Sequence, residues 1–102
     1  MLFINIKRLH DFPNCKNLTM RNLAILTTLY EEGDCRIADV LKRLDIEGAS
    51  LTKNIDTLER LGLAHRRLNR ADRREYLLAI SNLGREILDR SKAEEADLPE
   101  LM

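Results

Sequence analysis

The sequence has no tryptophan and only four aromatic residues, two phenylalanines and two tyrosines. We therefore expect a core built mostly from leucine and isoleucine. No apolar run approaches the roughly 20 residues that cross a bilayer, because Asn5, Lys7 and Arg8 interrupt the apolar N-terminus early. The N-terminus also lacks the charged-then-apolar order and the small-residue cleavage site of a signal peptide. These absences predict a cytoplasmic protein without a membrane partner.

The residue clusters that carry catalysis or bind metals are also missing. The two cysteines, Cys15 and Cys35, lack metal-ligand spacing, so we expect free thiols in a reducing compartment, with redox sensing at Cys35 as the alternative. The two histidines, His10 and His65, have no cysteine or acid at ligand spacing. There is no Ser-His-acid set and no phosphate-binding glycine loop. We expect no enzyme activity, no metal and no cofactor.

The formal net charge is zero, but the charges are unevenly distributed. Residues 1–35 carry four basic and four acidic side chains, and residues 36–74 carry ten basic and six acidic ones. Residues 75–102 carry three basic and seven acidic side chains. Only the middle third is therefore suited to an anionic partner, and the acidic C-terminal part should lie away from that partner.

The 102 residues suit one domain with a modest core. We predict a short helix that ends before Pro13, and a second helix over about 20–32 that Thr19 caps and Gly33 ends. A third helix has apolar residues at helical spacing. These residues are Ile37, Val40, Leu41 and Leu44.

A fourth helix, over about 48–61, follows a tight turn at about 45–48. Its Leu51, Ile55 and Leu58 share one face, and Gly62 ends it. Two short helices joined by a tight turn are a helix-turn-helix in outline.

After Gly62 the apolar period changes to that of strands. Segments 63–68 and 75–80 have strand length, and the turn-forming segment 69–74 joins them as a β-hairpin. Ser81 can cap a final helix that fades after Arg90, with Leu83, Ile87 and Leu88 facing inward.

This order of elements predicts a mainly α fold with a small β-hairpin, an α+β winged helix-turn-helix. We divide the chain into an N-terminal arm with a short helix (1–18), the winged domain (19–90) and an acidic C-terminal tail (91–102).

Three motifs strengthen the assignment. They are Leu58-Glu59-Arg60-Leu61-Gly62-Leu63, Asp72-Arg73-Arg74 and Ser81-Asn82-Leu83-Gly84-Arg85. In this order they resemble the multiple-antibiotic-resistance regulator (MarR) family of bacterial transcription factors, over about residues 37–88. The resemblance implies sequence-specific binding of double-stranded DNA, with the wing acid fixing the wing while an adjacent arginine reaches the groove.

Family members dimerise through long N- and C-terminal helices, which are short here, so we expect that module to be truncated, replaced or missing. The family's ligand pocket lies near the same module, so the small-molecule effector stays unassigned.

The fourth helix carries polar residues suited to base edges and phosphates in the major groove. The candidates are Ser50, Thr52, Lys53 and Asn54. In the absence of the helix-turn-helix, such a face would be read as simply solvated. Thr52 has the weakest case because its side chain could point partly inward.

The hairpin tip carries a second set of candidates, arginines suited to the negative potential of a narrow minor groove. They are Arg67, Arg70, Arg73 and Arg74. Arg66 and Arg67 alternate faces, so only one of the two can point toward DNA. We expect Asp72 to orient a neighbouring arginine or to cap the turn. The alternative is a solubilising surface turn.

We therefore expect a DNA-binding transcriptional regulator, a repressor by analogy, that works as a homodimer through its N- and C-terminal helices. The apolar residues available for that interface, unless they only close the monomer core, are Leu2, Phe3, Ile4, Ile6, Leu83, Ile87 and Leu88. The alternative function is that of a protein-interaction adaptor or anti-repressor that does not bind DNA.

Overall fold

A computed structural model describes residues 3–93. Five α-helices and three strands follow one another along this part of the chain, with one 3-10 turn at Pro13–Cys15. They are α1 (Ile6–His10), α2 (Met20–Glu32), β1 (Cys35–Arg36), α3 (Ile37–Leu44), α4 (Gly48–Arg60), β2 (Ala64–Leu68), β3 (Tyr76–Ile80) and α5 (Asn82–Ser91). No helix within residues 3–93 is long and apolar enough to span a membrane.

Local capping sets the helix ends that the sequence predicts. The backbone amide of Asn22 donates to Thr19 Oγ1 at 3.1 Å, and the amide of Thr19 donates to Asn22 Oδ1 at 3.1 Å. This capping box provides hydrogen-bond acceptors for two backbone N–H groups at the start of α2, those of Thr19 and Asn22. Gly33 ends the same helix with φ of +82°, in the region that favours glycine. Ser81 caps α5 by accepting a hydrogen bond from the amide of Gly84.

The predicted hairpin is part of a three-stranded antiparallel sheet with the order β1-β3-β2. Arg66 lies opposite Leu78 and Arg67 opposite Leu77, while β1 pairs Cys35 with Leu78. The sequence did not predict β1 because two residues are too short to display an alternating pattern. This strand joins the middle of β3 to the segment that enters α3.

A single core lies between α2, α4, α5 and the sheet. Its fully buried large side chains are Leu9, Ile25, Leu26, Leu29, Val40, Leu51, Ile55, Leu58, Leu63, Leu78, Ile87 and Leu88. The predicted inward face of α4 is thus confirmed. The prediction for Leu83 is wrong, because its side chain is 44% exposed. The neighbouring Gly84 occupies the buried position instead and packs against the backbone of Leu63.

The two ends of the described chain are paired with each other. The amide of Asn5 donates to the carbonyl of Ser91 at 2.7 Å, and the amide of Ala93 donates to the carbonyl of Phe3 at 2.7 Å. Of the apolar residues named for a dimer interface, Ile87 and Leu88 lie in the core of this chain, which is the alternative that the sequence left open for them. Leu2 and residues 94–102, which hold most of the expected acidic tail, lie outside the described residues.

Both cysteines are free thiols, and Cys15 is completely buried. Burial raises the pKa of each thiol, and the negative charge of Glu32 raises that of Cys35 further. Because the thiolate is the reactive form, we expect iodoacetamide to modify both more slowly than free cysteine at pH 7, and Cys15 more slowly than Cys35. Mass spectrometry of timed samples, with a denatured sample as control, checks this. Alkylation of Cys35 in the folded protein at the rate of free cysteine would contradict it.

Candidate nucleic-acid interface

The second helix of the helix-turn-helix, α4, presents an open face on the side away from its buried leucines. The exposed residues of this face are Ala49, Thr52, Lys53 and Asp56. Thr52 is exposed and donates a hydrogen bond from Oγ1 to the carbonyl of Gly48 at 3.0 Å. The ammonium of Lys53 makes no hydrogen bond or ion pair with any residue in 3–93. Two of the four predicted helix residues therefore lie on a surface that a partner can reach.

The other two predicted residues, Ser50 and Asn54, are half-buried on the flank of α4 that faces α2. Arg21 Nη1 donates to Ser50 Oγ at 2.9 Å, and Asn22 Nδ2 donates to Asn54 Oδ1 at 2.5 Å. Asn54 Nδ2 in turn donates to the carbonyl of Ser50 at 2.8 Å. Each end of the Asn54 amide thus makes one hydrogen bond within the protein and keeps the capacity for one more, through the second lone pair of Oδ1 and the second hydrogen of Nδ2.

This polar contact lies beside an open cleft of about 360 Å³ between the start of α2 and α4. It is lined by six residues with polar side chains, which are Asn17, Thr19, Asn22, Lys53, Asn54 and Thr57. Asn22 is only 3% exposed, and its side chain joins the α2 cap to α4. The role of Asn22 as a support of α4 was not predicted, although its position three residues after Thr19 is that of the second residue of a capping box.

The wing, residues 69–75, is closed by a ladder of hydrogen bonds at its base. The amide of Asn69 donates to the carbonyl of Glu75 at 3.0 Å, and Asn69 Nδ2 donates to the Glu75 carboxylate at 3.0 Å. Asn69 Oδ1 also accepts from the amide of Ala71 at 3.0 Å. Arg36 on β1 lies 3.5 Å from the other Glu75 oxygen. The tip is therefore a shaped turn, fixed by Asn69 from within and by β1 from outside.

Asp72 accepts two hydrogen bonds from Arg74, one from its backbone amide at 3.1 Å and one from its guanidinium Nε at 3.2 Å. These two bonds hold the pKa of the Asp72 carboxyl below its ordinary value, and the bond from the backbone amide contributes more than the bond from the guanidinium. The acid thus both caps the turn and contacts a neighbouring arginine, the two geometries that were expected as alternatives. The Arg74 side chain is 92% exposed, so Asp72 restrains it without covering it.

The remaining basic residues of the hairpin divide into two groups. Arg70 and Arg73 at the tip are exposed and form no hydrogen bond or ion pair within residues 3–93. Arg67 is bound to Asp34 at 2.7 Å, and Arg66, on the other face of β2, is bound to Asp56 and Glu59. The tip arginines are thus the cations of the hairpin that are open to an anionic partner.

A metal site has no support among these residues. No group of three or more histidine, cysteine, aspartate or glutamate side chains in the described range could hold an ion.

Two helices joined by a tight turn, with a three-stranded sheet whose hairpin extends as a wing, define a winged helix-turn-helix protein. The model of the MarR family matches residues 18–76, more than half of the chain. The chain belongs to the MarR family, whose members regulate transcription and are not enzymes. The family resemblance and the fold class expected from the sequence are confirmed.

Curated relatives are found in Bacillus subtilis strain 168. The chain is 31% identical over 83 residues to the uncharacterized HTH-type transcriptional regulator YdgJ, which covers 81% of this chain and 51% of YdgJ. It is 34% identical over 61 residues to the uncharacterized HTH-type regulator YwhA, covering 60% of this chain and 44% of YwhA. The chain thus spans about half the length of these relatives.

Solved structures share the fold. AbfR of Staphylococcus epidermidis superposes with a TM-score of 0.72 at 20% identity, covering 95% of this chain and 64% of AbfR. A mutant of MarR from E. coli, complexed with operator DNA, superposes with a TM-score of 0.68 at 20% identity. That match covers 83% of this chain and 61% of the mutant MarR.

Proposed function

We propose that this chain is a sequence-specific regulator of transcription that binds double-stranded DNA in the cytoplasm. The observation that carries the proposal is that two arginines at the tip of the hydrogen-bonded wing, Arg70 and Arg73, form no ion pair within residues 3–93. No acid of the described part of the chain binds either of them, whereas Arg66 and Arg67 are each bound to acids. Phosphates and the electronegative minor groove are partners that match such cations.

The helix α4 is the element suited to the major groove, which is about 12 Å wide and admits an α-helix. Thr52 and Lys53 offer a hydroxyl and an ammonium on its open face. Ser50 and Asn54 are further base-reading candidates, each with hydrogen-bonding capacity left beside its contact with α2. Membership of the MarR family and the E. coli MarR mutant complexed with operator DNA support the proposal that this chain binds DNA.

A homodimer is the assembly that fits two half-sites of a pseudo-palindromic operator. α1 and α5 each retain one exposed large apolar side chain, Ile6 at 40% and Leu83 at 44%, and Phe3 is 37% exposed. We propose that these residues take part in the dimer contact and that the bound dimer acts as a repressor. A solution mass of one chain at micromolar concentration, with and without DNA, would overturn the dimer.

An electrophoretic gel-shift series with fragments of the host genome tests the function. We expect a subset of fragments to shift at low salt, and their affinity to fall steeply toward physiological salt as phosphate contacts are lost. No shift of any fragment at low salt, up to micromolar protein, would refute DNA binding. Such a result would favour the adaptor or anti-repressor function instead.

Replacing Asp72 with alanine should weaken DNA binding several-fold, although it removes a negative charge from the wing. The reason is that Arg74 and the turn lose both hydrogen bonds that Asp72 accepts. Folding of the wing lowers the pKa of the Asp72 carboxyl below its ordinary value. The carboxylate therefore stabilises the folded wing fully at any pH above the ordinary pKa. This stabilisation is lost as the pH falls through the lowered pKa of the folded protein. The loss of DNA affinity in Asp72→Ala should therefore be equally large between about pH 6 and 8.

Fluorescence anisotropy with a labelled fragment measures the Asp72 effect. The control is Glu31→Ala, which removes one exposed acid of α2 and leaves the wing intact. Tighter binding by Asp72→Ala than by the wild type would refute the orienting role of the acid.

A further inference from the structure

One arginine of the hairpin, Arg66, is bound to the proposed recognition helix rather than exposed to solvent. Its Nη2 lies 2.8 Å from Asp56 Oδ1, and its Nη1 contacts Glu59 Oε1. The backbone amide of Arg66 donates to the second oxygen of Glu59, Oε2, at 3.2 Å. Glu59 therefore binds both the main chain and the side chain of the same strand residue.

The sheet register explains why Arg66 reaches α4. Residues opposite one another in an antiparallel pair point to the same face of the sheet. Arg66 lies opposite Leu78, which is completely buried, whereas Arg67 lies opposite Leu77 on the other face. The Arg66 side chain is accordingly only 27% exposed, against 57% for Arg67. Because both Nη nitrogens of its guanidinium are bound to acids, a phosphate would compete with Asp56 and Glu59 for them.

The same contacts compensate two acids on the helix that is to enter the groove. Asp56 is 62% exposed on the open face of α4, where an uncompensated carboxylate would repel phosphates. The guanidinium of Arg66 lies against both acids and offsets part of their charge. The ion pairs of Arg66 with Asp56 and Glu59 thus reduce the repulsion between these acids and DNA. They also connect α4 and β2, which are consecutive in the chain.

We propose that Arg66 is a positioning residue for DNA binding, which fixes the wing strand against the recognition helix through Asp56 and Glu59. The inference rests on the proposed function. Asn69, at the start of the wing tip, is three residues beyond Arg66, about 10 Å at the rise of a strand. A tilt of about 10° at Arg66 would displace the tip by about 2 Å, which is enough to break a hydrogen bond there.

The test compares Arg66→Met, Glu59→Gln and the double variant by anisotropy on a fragment that the wild type binds. If Arg66 positions the wing, both single variants weaken binding by about threefold to thirtyfold, and the double variant is no weaker than the poorer single one. If Arg66 instead contacts phosphate itself, Glu59→Gln frees it and tightens binding or leaves it unchanged, which would overturn the inference.

A second double-mutant cycle separates positioning from a general loss of structure. Arg73 does not contact Arg66, yet Arg73→Ala should cost less affinity in the Arg66→Met protein than in the wild type, because the wing is already displaced. Arg67→Met, which removes the same charge from the opposite face of β2, should combine additively with Arg73→Ala. Additive effects in the Arg66 cycle would also overturn the inference.

Controls keep the outcomes distinct. Thermal unfolding establishes that each variant is folded at the assay temperature, and Glu59→Gln with Asp56→Asn replaces Arg66→Met if that variant does not fold. Arg66→Lys, which keeps one charge but not the fork that spans two acids, should recover part of the affinity. Failure of the wild type to bind any fragment refutes the proposed function, whereas wild-type binding with unaffected variants refutes only the role of Arg66.

Discussion

Replacing Arg73 with alanine is expected to weaken DNA binding by about 1–3 kcal/mol, roughly 5- to 150-fold, and to leave the fold intact. Arg73 is exposed at the wing tip and has no partner within residues 3–93, so its removal leaves no buried group unsatisfied. A loss of affinity in Arg73→Ala would therefore report on a contact between Arg73 and DNA. Equilibrium anisotropy titrations measure the loss, and chemical denaturation measures the stability.

The charge-matched control for Arg73 is Arg90→Ala on α5. Arg90 is 67% exposed, and within residues 3–93 it is bound only to Glu86, one turn earlier in the same helix, so its loss should matter little for stability. The plot of log affinity against log salt should become shallower by about one unit for Arg73→Ala and stay unchanged for Arg90→Ala. Equal affinities for Arg73→Ala and the wild type would show that the wing does not contact DNA at this residue.

Replacing Gly84 with alanine is expected to destabilise the domain by about 1–3 kcal/mol, the usual cost of overpacking a core. A Cβ at this position would lie 2.3 Å from the carbonyl oxygen of Leu63 and 3.0 Å from Ile80 Cγ1. That carbonyl cannot move freely, because it accepts the amide of Ser81 at 2.9 Å. Alanine ordinarily favours a helix over glycine by about 1 kcal/mol, so the sign of the result separates steric crowding from helix propensity.

Urea unfolding followed by circular dichroism measures the change at Gly84. Gly48→Ala is the matched control, since a Cβ there would have no atom within 4 Å and should leave stability unchanged or slightly higher. A Gly84→Ala protein as stable as the wild type would contradict the close packing of α5 on the turn between α4 and β2.

The parts of the fold that depend on neighbouring residues were predictable from the sequence. Thr19, Gly33 and Ser81 mark helix ends because a cap needs only a side chain or a glycine a few residues away. The wing motif likewise placed Asp72 beside the arginine that it contacts. Strand β1 was not predictable, since two residues gain strand geometry only by pairing with a distant partner.

The site was less predictable because its side chains are engaged by residues far along the chain. Asn54 looks like a base-reading residue from its place on the helix, but Asn22, 32 residues earlier, holds its amide. The alternation of Arg66 and Arg67 was expected, yet the acids that each of them binds depend on how β2 packs against α4 and Asp34. Helical spacing also failed at Leu83, where the buried position is taken by a glycine that no hydrophobic pattern reveals.

Dimethyl sulfate protection of a bound genomic fragment tests the central claim most directly. The reagent methylates guanine N7 in the major groove and adenine N3 in the minor groove, so one experiment reports on both. We predict protection of guanines where α4 docks and of adenines in the adjacent minor groove, with the adenine protection alone lost in Arg73→Ala. A shifted fragment without protection in either groove, or with adenine protection unchanged by Arg73→Ala, would contradict the proposed docking.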